Sequence, residues 1–296
     1  MLLEAGPMSL HGRIAIITGA NQGLGFEIAR TYVSAGASIV ICARNADLLA
    51  AARERLAREL TAGQAIEAMP ADVSDSDAVE QLVEQTLQRF GQVDILVNNA
   101  GIYGPMGSIE AVDWVEWLKT IEINLLGSIL MCKAVLPAMK KRHRGKIIQL
   151  SGGGATNPMP NISAYAVSKA GIVRFAETLA EEVRDFNVDV NAIAPGALNT
   201  RMLDEVLAAG PEKVGQAFFQ SSVKQQEAGG AGLDHGAELA LFLASDVSNG
   251  LTGKLISALW DDWEHWPEHL DELNSSDVYT LRRIAGRDRG FSWGDT

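Results

Sequence analysis

Seven short apolar runs, rich in Ile and Val, recur between Arg13 and Leu259, and longer amphipathic stretches fill the intervals. The runs are Ile14–Thr18, Ser38–Ala43, Ala65–Met69, Asp94–Val97, Lys146–Leu150, Val188–Ala194 and Lys254–Leu259. Strands that are apolar throughout are buried on both faces, which requires a parallel sheet covered by helices on each side. Helical spacing fills Leu24–Ala35, Ala46–Ala62, Asp75–Phe90, Trp114–Lys140, Ala164–Asp185 and Asp234–Ala244. Strict alternation of this kind specifies an α/β fold, a doubly wound seven-stranded parallel sheet with helices on both faces. No linker divides the pattern, so residues 11–259 are expected to form a single domain.

Three segments lie outside the alternation. Residues 1–10 read as a flexible arm, with Met8 a candidate start. Residues 201–233 follow the sixth run and carry helical spacing broken by Gly and Pro. Residues 260–296 form an acidic and aromatic extension opening Trp-Asp-Asp-Trp-Glu-His-Trp, with a short helix expected from Ser275 or Ser276.

Composition removes several functions. A net charge of -12 opposes nucleic acid or an anionic membrane as partner, since both need a basic face. Cys42 and Cys132 sit in apolar runs and read as small core residues. His265 and His269 are four apart but separated by Trp266 and Pro267, so no metal site is expected. A basic-then-apolar leader is not evident, and no apolar stretch is expected to approach a membrane span. A cytoplasmic protein is the resulting expectation.

The first run ends in Thr18-Gly19-Ala20-Asn21-Gln22-Gly23-Leu24-Gly25 and passes directly into a helix. Glycines let the backbone approach a pyrophosphate, and the helix N-terminus offers free N–H groups and partial positive charge. A dinucleotide cradle formed by Gly19, Asn21, Gln22, Gly23, Leu24 and Gly25 is expected. Its Gly-x3-Gly-x-Gly spacing, opened by Thr-Gly, resembles the short-chain dehydrogenase/reductase family. The resemblance runs from about Arg13 to Leu259. Asp72-Val73 follows the third run, where family members bind adenine. Asn98-Asn99-Ala100-Gly101 follows the fourth and matches the family's Asn-Asn-Ala-Gly element. Asn124 lies in the next long helix, and Tyr165-x3-Lys169 opens the helix after the fifth run. Pro195-Gly196-x3-Thr200 follows the sixth, where the family holds the nicotinamide amide. Taken together, these motifs imply a Rossmann-type domain with Asp72, Val73, Asn98, Ala100, Gly101, Pro195, Gly196 and Thr200 on the cofactor.

The second run ends Ala43-Arg44 rather than in a carboxylate, which would bond the ribose hydroxyls of NAD. A guanidinium there can clamp a 2′-phosphate, so Arg44 favours NADP, with NAD the alternative.

Tyr165 and Lys169, four apart, share one helix face. A phenol with a pKa of about 10 is a poor base at neutral pH, and a neighbouring ammonium favours its phenolate. Tyr165 is therefore expected to exchange a proton with an alcohol or carbonyl while hydride moves to or from the cofactor. By resemblance, Lys169 also bonds the nicotinamide ribose and Asn124 holds a water in a proton relay. The family places a carbonyl-polarising Ser thirteen positions before the Tyr. Gly152 stands there, and Ser151 stands one earlier. One extra loop residue would restore Ser151 to the role. Otherwise Ser151 faces the sheet, and a water, a substrate group or a backbone N–H of Gly152-Gly153-Gly154 stabilises the oxyanion.

The resemblance implies that residues 201–233 form a mobile substrate lid and that the protein is a homotetramer or homodimer. The extension caps an active site or covers an apolar flank. The expected function is NAD(P)-dependent interconversion of a secondary alcohol and a ketone or aldehyde of a small organic substrate. Reduction of a C=C bond, a sugar-type oxidation, or dinucleotide binding by a sensor without turnover are the alternatives.

Overall fold

In the computed structural model, which describes residues 8–293, the sheet has seven parallel strands in the order β3-β2-β1-β4-β5-β6-β7. They are β1 Ile14–Thr18, β2 Ser38–Ala43, β3 Ile66–Pro70, β4 Ile95–Asn98, β5 Gly145–Leu150, β6 Val188–Ala194 and β7 Leu255–Ser257. The connecting helices are α1 Gly23–Ser34, α2 Ala46–Ala57, α3 Ser76–Phe90, α4 Trp114–Ile121, α5 Gly127–Arg142 and α6 Ser163–Val183. After β6 come α7 Arg201–Ala209, α8 Pro211–Val214, α9 Gln216–Glu227 and α10 Leu233–Ala244, and α11 Leu270–Asn274 follows β7.

Strand alternation divides the core into two layers. Ala15 and Ile17 of β1 face α1 and α10, among Ile28, Leu239 and Leu243. Ile16 and Val40 face α3, α5 and α6, among Val79, Met131 and Val173. The Tyr32 hydroxyl donates to the Ala240 carbonyl at 2.8 Å and ties α1 to α10. Helix ends obey local chemistry: Asp75 caps α3 by accepting from Asp77 and Ala78 N–H, and Gly91 closes it with φ +75°.

Five expectations need correction. The arm ends before Leu10, whose side chain is fully buried and whose N–H donates to the Ala35 carbonyl, while residues 1–7 lie outside the described residues. The long helix expected over Trp114–Lys140 is interrupted by a π-helical turn at Glu122–Leu126. Strand β7 holds three residues, because Gly253 turns with φ +73° just before it and the Asp261 carboxylate takes the Ser257 N–H just after. No helix begins at Ser275 or Ser276. The helical turns come earlier, at Trp263–His269 and α11, and the Ser276 hydroxyl donates back to the Glu272 carbonyl instead of starting a new helix. Finally, Trp114–Arg142 is long and apolar enough by composition to cross a membrane. Met131, Cys132, Val135 and Met139 of this stretch are buried in the core, which gives the apolarity another cause.

The extension runs along the free edge of β7. The Leu255 N–H donates to the Tyr279 carbonyl at 2.8 Å, and Lys254 Nζ donates to the Ser276 and Val278 carbonyls. Backbone pairing of this kind blunts an exposed sheet edge. Trp263, Trp266 and Leu273 enter the core layer of α10, with the Trp263 ring 5.1 Å from that of Phe242.

Candidate active site

Strand order reverses between β1 and β4, and a crevice opens beyond the carboxyl ends of strands at such a point. Here it is a cleft of about 1390 Å³. One half is lined by the β1, β2 and β3 ends, and the other by the β5 end, α7, α9 and the C-terminal extension.

The cradle is built from backbone. Gly19 (φ +66°) and Gly23 (φ +58°) take left-handed conformations that favour glycine. A Cβ on Gly23 would meet only Thr200 Cγ2, at 3.7 Å, so this glycine leaves room toward the cleft. Gln22 makes no side-chain cap on α1, which leaves its first N–H groups for an anion. These features fit a bound pyrophosphate. Asn21, Gln22 and Leu24 line the same space, but Gly25 does not. A Cβ on Gly25 would lie 2.3 Å from Asn99 Nδ2 and 2.6 Å from the Gly19 carbonyl oxygen, so Gly25 serves close packing of helix on turn.

Asn99, absent from the expected set, holds that turn. Its Nδ2 donates to the Thr18 and Gly19 carbonyls at 2.9 and 3.1 Å, and the Thr18 hydroxyl accepts from Asn99 and Ala100 N–H. Asn98, expected on the cofactor, points into the core, where Nδ2 donates to the Ser128 carbonyl and Cys132 Sγ. Alternation along β4 explains the swap, since adjacent residues face opposite sides. Ala100 and Gly101 line the cleft, as do Pro195, Gly196 and Thr200.

At the far end of this half, Arg44 lies 4.0 Å from Asp72 and is half exposed. Burial alone would raise the Asp72 carboxyl, but hydrogen bonds from Ser74 and the charges of Arg44 and Lys119 hold it below its ordinary value. Val73 lies beside it on the cleft wall.

Tyr165 and Lys169 meet on the first turns of α6, both lining the cleft and both nearly buried. Lys169 Nζ donates to the Leu150 carbonyl at 2.6 Å and stands 5.6 Å from the Tyr165 ring centroid. Burial brings the ammonium down to about 8. Burial, with the Tyr103 phenol beside it, pushes the Tyr165 hydroxyl up. A neighbouring ammonium is expected to lower this phenol; in the folded protein burial raises it instead. Asn124, fully buried in the π turn, does not line the cleft. Its side chain clamps Ile102, accepting from the N–H at 2.9 Å and donating to the carbonyl at 2.8 Å, and also donates to Ser168.

Ser151 lines the cleft, but its hydroxyl is directed at the Lys169 carbonyl, 3.5 Å away. Gly152 is the position aimed at the Tyr165 phenol: a Cβ there would stand 2.6 Å from its oxygen. The remaining wall comes from Tyr103, from Met202, Leu203, Phe218 and Ser222 of the helices after β6, and from the extension. Trp260, Asp261, Tyr279 and Thr280 all line the cleft, so the extension covers an apolar flank and also forms cleft wall. Tyr279 reaches it through a left-handed backbone, φ +58°, a signal invisible in composition.

The sequence model of the short chain dehydrogenase family matches residues 13–210. Dehydrogenase/reductase SDR family member 4 of Caenorhabditis elegans is 35% identical over 248 residues, covering 83% of this chain and 93% of its own. Trans-4-hydroxycyclohexanecarboxylate dehydrogenase of Sinomonas cyclohexanicum is 35% identical over 245 residues, 81% of this chain and 89% of its own. Among solved structures, a gluconate 5-dehydrogenase from Burkholderia cenocepacia in complex with NADP and tartrate superposes with a TM-score of 0.74 at 29% identity, over 91% of this chain and 98% of that one. A glycine cradle at the switch point, a Tyr–Lys pair facing it and likeness over most of the chain agree: the chain belongs to the short chain dehydrogenase family and is an oxidoreductase acting on CH–OH groups with NAD(P).

Proposed function

We propose that the protein reduces a small ketone or aldehyde, and oxidises the matching alcohol, with Tyr165 as the general acid and base. The observation that carries this reading is the placement of Tyr165 and Lys169 on the cleft wall beyond β5, across from the cradle. Bound NAD(P) supplies or accepts the hydride. Tyr165 gives its proton to the carbonyl oxygen in reduction and recovers it in oxidation. Its raised pKa keeps it protonated through neutral pH, which suits it to the acid role. Lys169, fixed on the Leu150 carbonyl, stabilises the phenolate left behind and would bond the nicotinamide ribose. The π turn at Asn124 loosens the regular backbone pattern there, which supports a water relay ending at Lys169.

Arg44, half exposed at the cleft rim with Ala43 in place of a carboxylate, supports NADP as the preferred cofactor. Asp72 competes for the same guanidinium. The helices α7, α8 and α9 close over the substrate half as a lid, and their Leu203 and Phe218 give it an apolar inner surface. Exposed Trp114, Val115 and Leu118 on α4 support assembly of copies through that face. Free, buried Cys42 and Cys132 fit a reducing, cytoplasmic setting.

The test is turnover of NADPH and NADH by purified protein against a panel of ketones, aldehydes, quinones and sugar-derived ketones. Consumption of NADPH with at least one carbonyl, faster than of NADH, is expected. Tight cofactor binding with no turnover across the panel would favour a dinucleotide sensor.

A further inference from the structure

We propose that Tyr103 is a second catalytic residue, whose phenol hydroxyl donates a hydrogen bond to the substrate carbonyl oxygen in the place the family fills with a serine. This inference rests on the hydride-transfer reading above. A carbonyl carbon that accepts hydride leaves negative charge on oxygen. Tyr165 cannot be the sole fixed donor there, because it surrenders its proton during the step.

The residue aimed at the Tyr165 hydroxyl is Gly152, and it has no side chain to offer. Its backbone is extended, φ 176°, a conformation open to any residue, so glycine is not required by the turn. What glycine provides is space: a Cβ would stand 2.6 Å from the Tyr165 oxygen and 3.5 Å from Cζ. Ser151 does not replace it. Neighbouring side chains on an extended chain face opposite ways, and the Ser151 hydroxyl is turned to the Lys169 carbonyl.

Tyr103 has what the site lacks. Its ring centroid lies 4.6 Å from that of Tyr165 at a 58° tilt, and it lines the cleft. Its backbone is held in place from both sides. Asn124 clamps Ile102 through two hydrogen bonds, and Gly104 turns immediately after with φ +74°, packed closely on Thr120. Among the described residues its hydroxyl has no hydrogen-bond partner, which leaves it for a ligand. Burial, then the Glu205 carboxylate, push this phenol upward as well, so at neutral pH it donates and does not act as a base. The roles then divide. The carbonyl carbon gains hydride from NAD(P)H, the oxygen gains the Tyr165 proton, and Tyr103 keeps its own proton throughout.

The experiment is Tyr103→Phe, which keeps the ring contact and removes only the hydroxyl. It is measured with the best carbonyl from the panel, beside Tyr165→Phe and Ser151→Ala. We expect kcat to fall by about 100-fold with NADPH affinity unchanged. The isotope effect from NADPH deuterated at the transferring position should rise, since hydride transfer becomes more rate-limiting. A kcat within about twofold of the parent with an unchanged isotope effect, or a loss confined to KM, overturns the proposal and leaves Tyr103 a pocket wall. A loss that follows Ser151→Ala and spares Tyr103→Phe overturns it in favour of Ser151. Full activity in Tyr165→Phe would instead defeat the underlying reading.

Discussion

The two halves of the cleft are built in different ways. The half proposed for the nucleotide is made of backbone and of side chains that hold backbone. Gly19 and Gly23 turn the chain, Gly25 lets α1 close on the turn, and Asn99 ties the turn to β4. The half proposed for the substrate is made of residues from segments far apart in sequence: Tyr103 after β4, Gly152 after β5, Phe218 in α9, and Tyr279 in the extension. A cofactor shared by many enzymes can be met by a short, local, low-tolerance element. A substrate peculiar to one enzyme is met by surfaces that vary independently.

The largest combined loss of stability and cofactor affinity is expected from breaking the backbone half. Gly25→Ala drives a methyl into Asn99 Nδ2 and the Gly19 carbonyl, at 2.3 and 2.6 Å before relaxation. Overpacking of this kind costs about 1–3 kcal/mol, and if that falls on the bound state, NADPH affinity drops about 5- to 150-fold. Fluorescence titration with NADPH, paired with a melting curve, measures both parts. An unchanged Kd would show that the cradle tolerates a side chain and that the contrast between the halves is overstated.

Arg44→Ala sharpens the same contrast inside the nucleotide half, because it alters a side chain rather than backbone. Charge-assisted hydrogen bonds contribute about 1.5–3 kcal/mol, so NADPH affinity should fall about 10- to 150-fold while NADH affinity holds. Equal losses for both cofactors would remove the case for NADP.

Smaller still is the effect of pH. Lys169 is charged below about 8 and neutral above, and it supports Tyr165 only while charged. Reduction should therefore be level through neutral pH and decline as pH rises past about 8, by up to about tenfold per unit. Oxidation begins from phenolate beside a charged Lys169, so it should rise toward pH about 8 and level off above it. NADPH affinity, set mainly by the cradle, should change less than kcat. A reduction rate that climbs with pH would separate Lys169 from the proton step.

Legibility in the sequence follows the same division. Strands β1, β2 and β6 carry the bounds that their apolar runs predict, because burial on both faces leaves an unbroken signal. That Gly19, Asn21, Gln22, Gly23, Leu24, Arg44, Asp72, Tyr165 and Lys169 line one cleft was also readable, since spacing and chain order bring them to the strand ends. Choices of facing were not. Asn98 and Asn99 are identical in kind, and only the pleat of β4 sends one to α5 and the other to the glycine turn. Ser151 and Gly152 pose the same problem one strand over. The π turn at Glu122–Leu126 leaves the helical pattern of its sequence undisturbed. The extension was legible as aromatic and acidic. Its path depends on contacts with segments far away in the chain, among them Glu177, whose carboxylate accepts the Leu281 N–H at 2.6 Å, and Arg174, which reaches the Leu281 carbonyl.

The most direct test follows the label itself. NADPH deuterated at the transferring position is incubated with the protein and a ketone substrate, and the alcohol product is examined by mass spectrometry and NMR. Deuterium on the carbinol carbon is predicted with the parent protein. In Tyr165→Phe, which should bind NADPH as tightly, product should fall by about 100- to 10,000-fold. Label transfer at an undiminished rate in that variant would contradict the account, because the proton would then have another source.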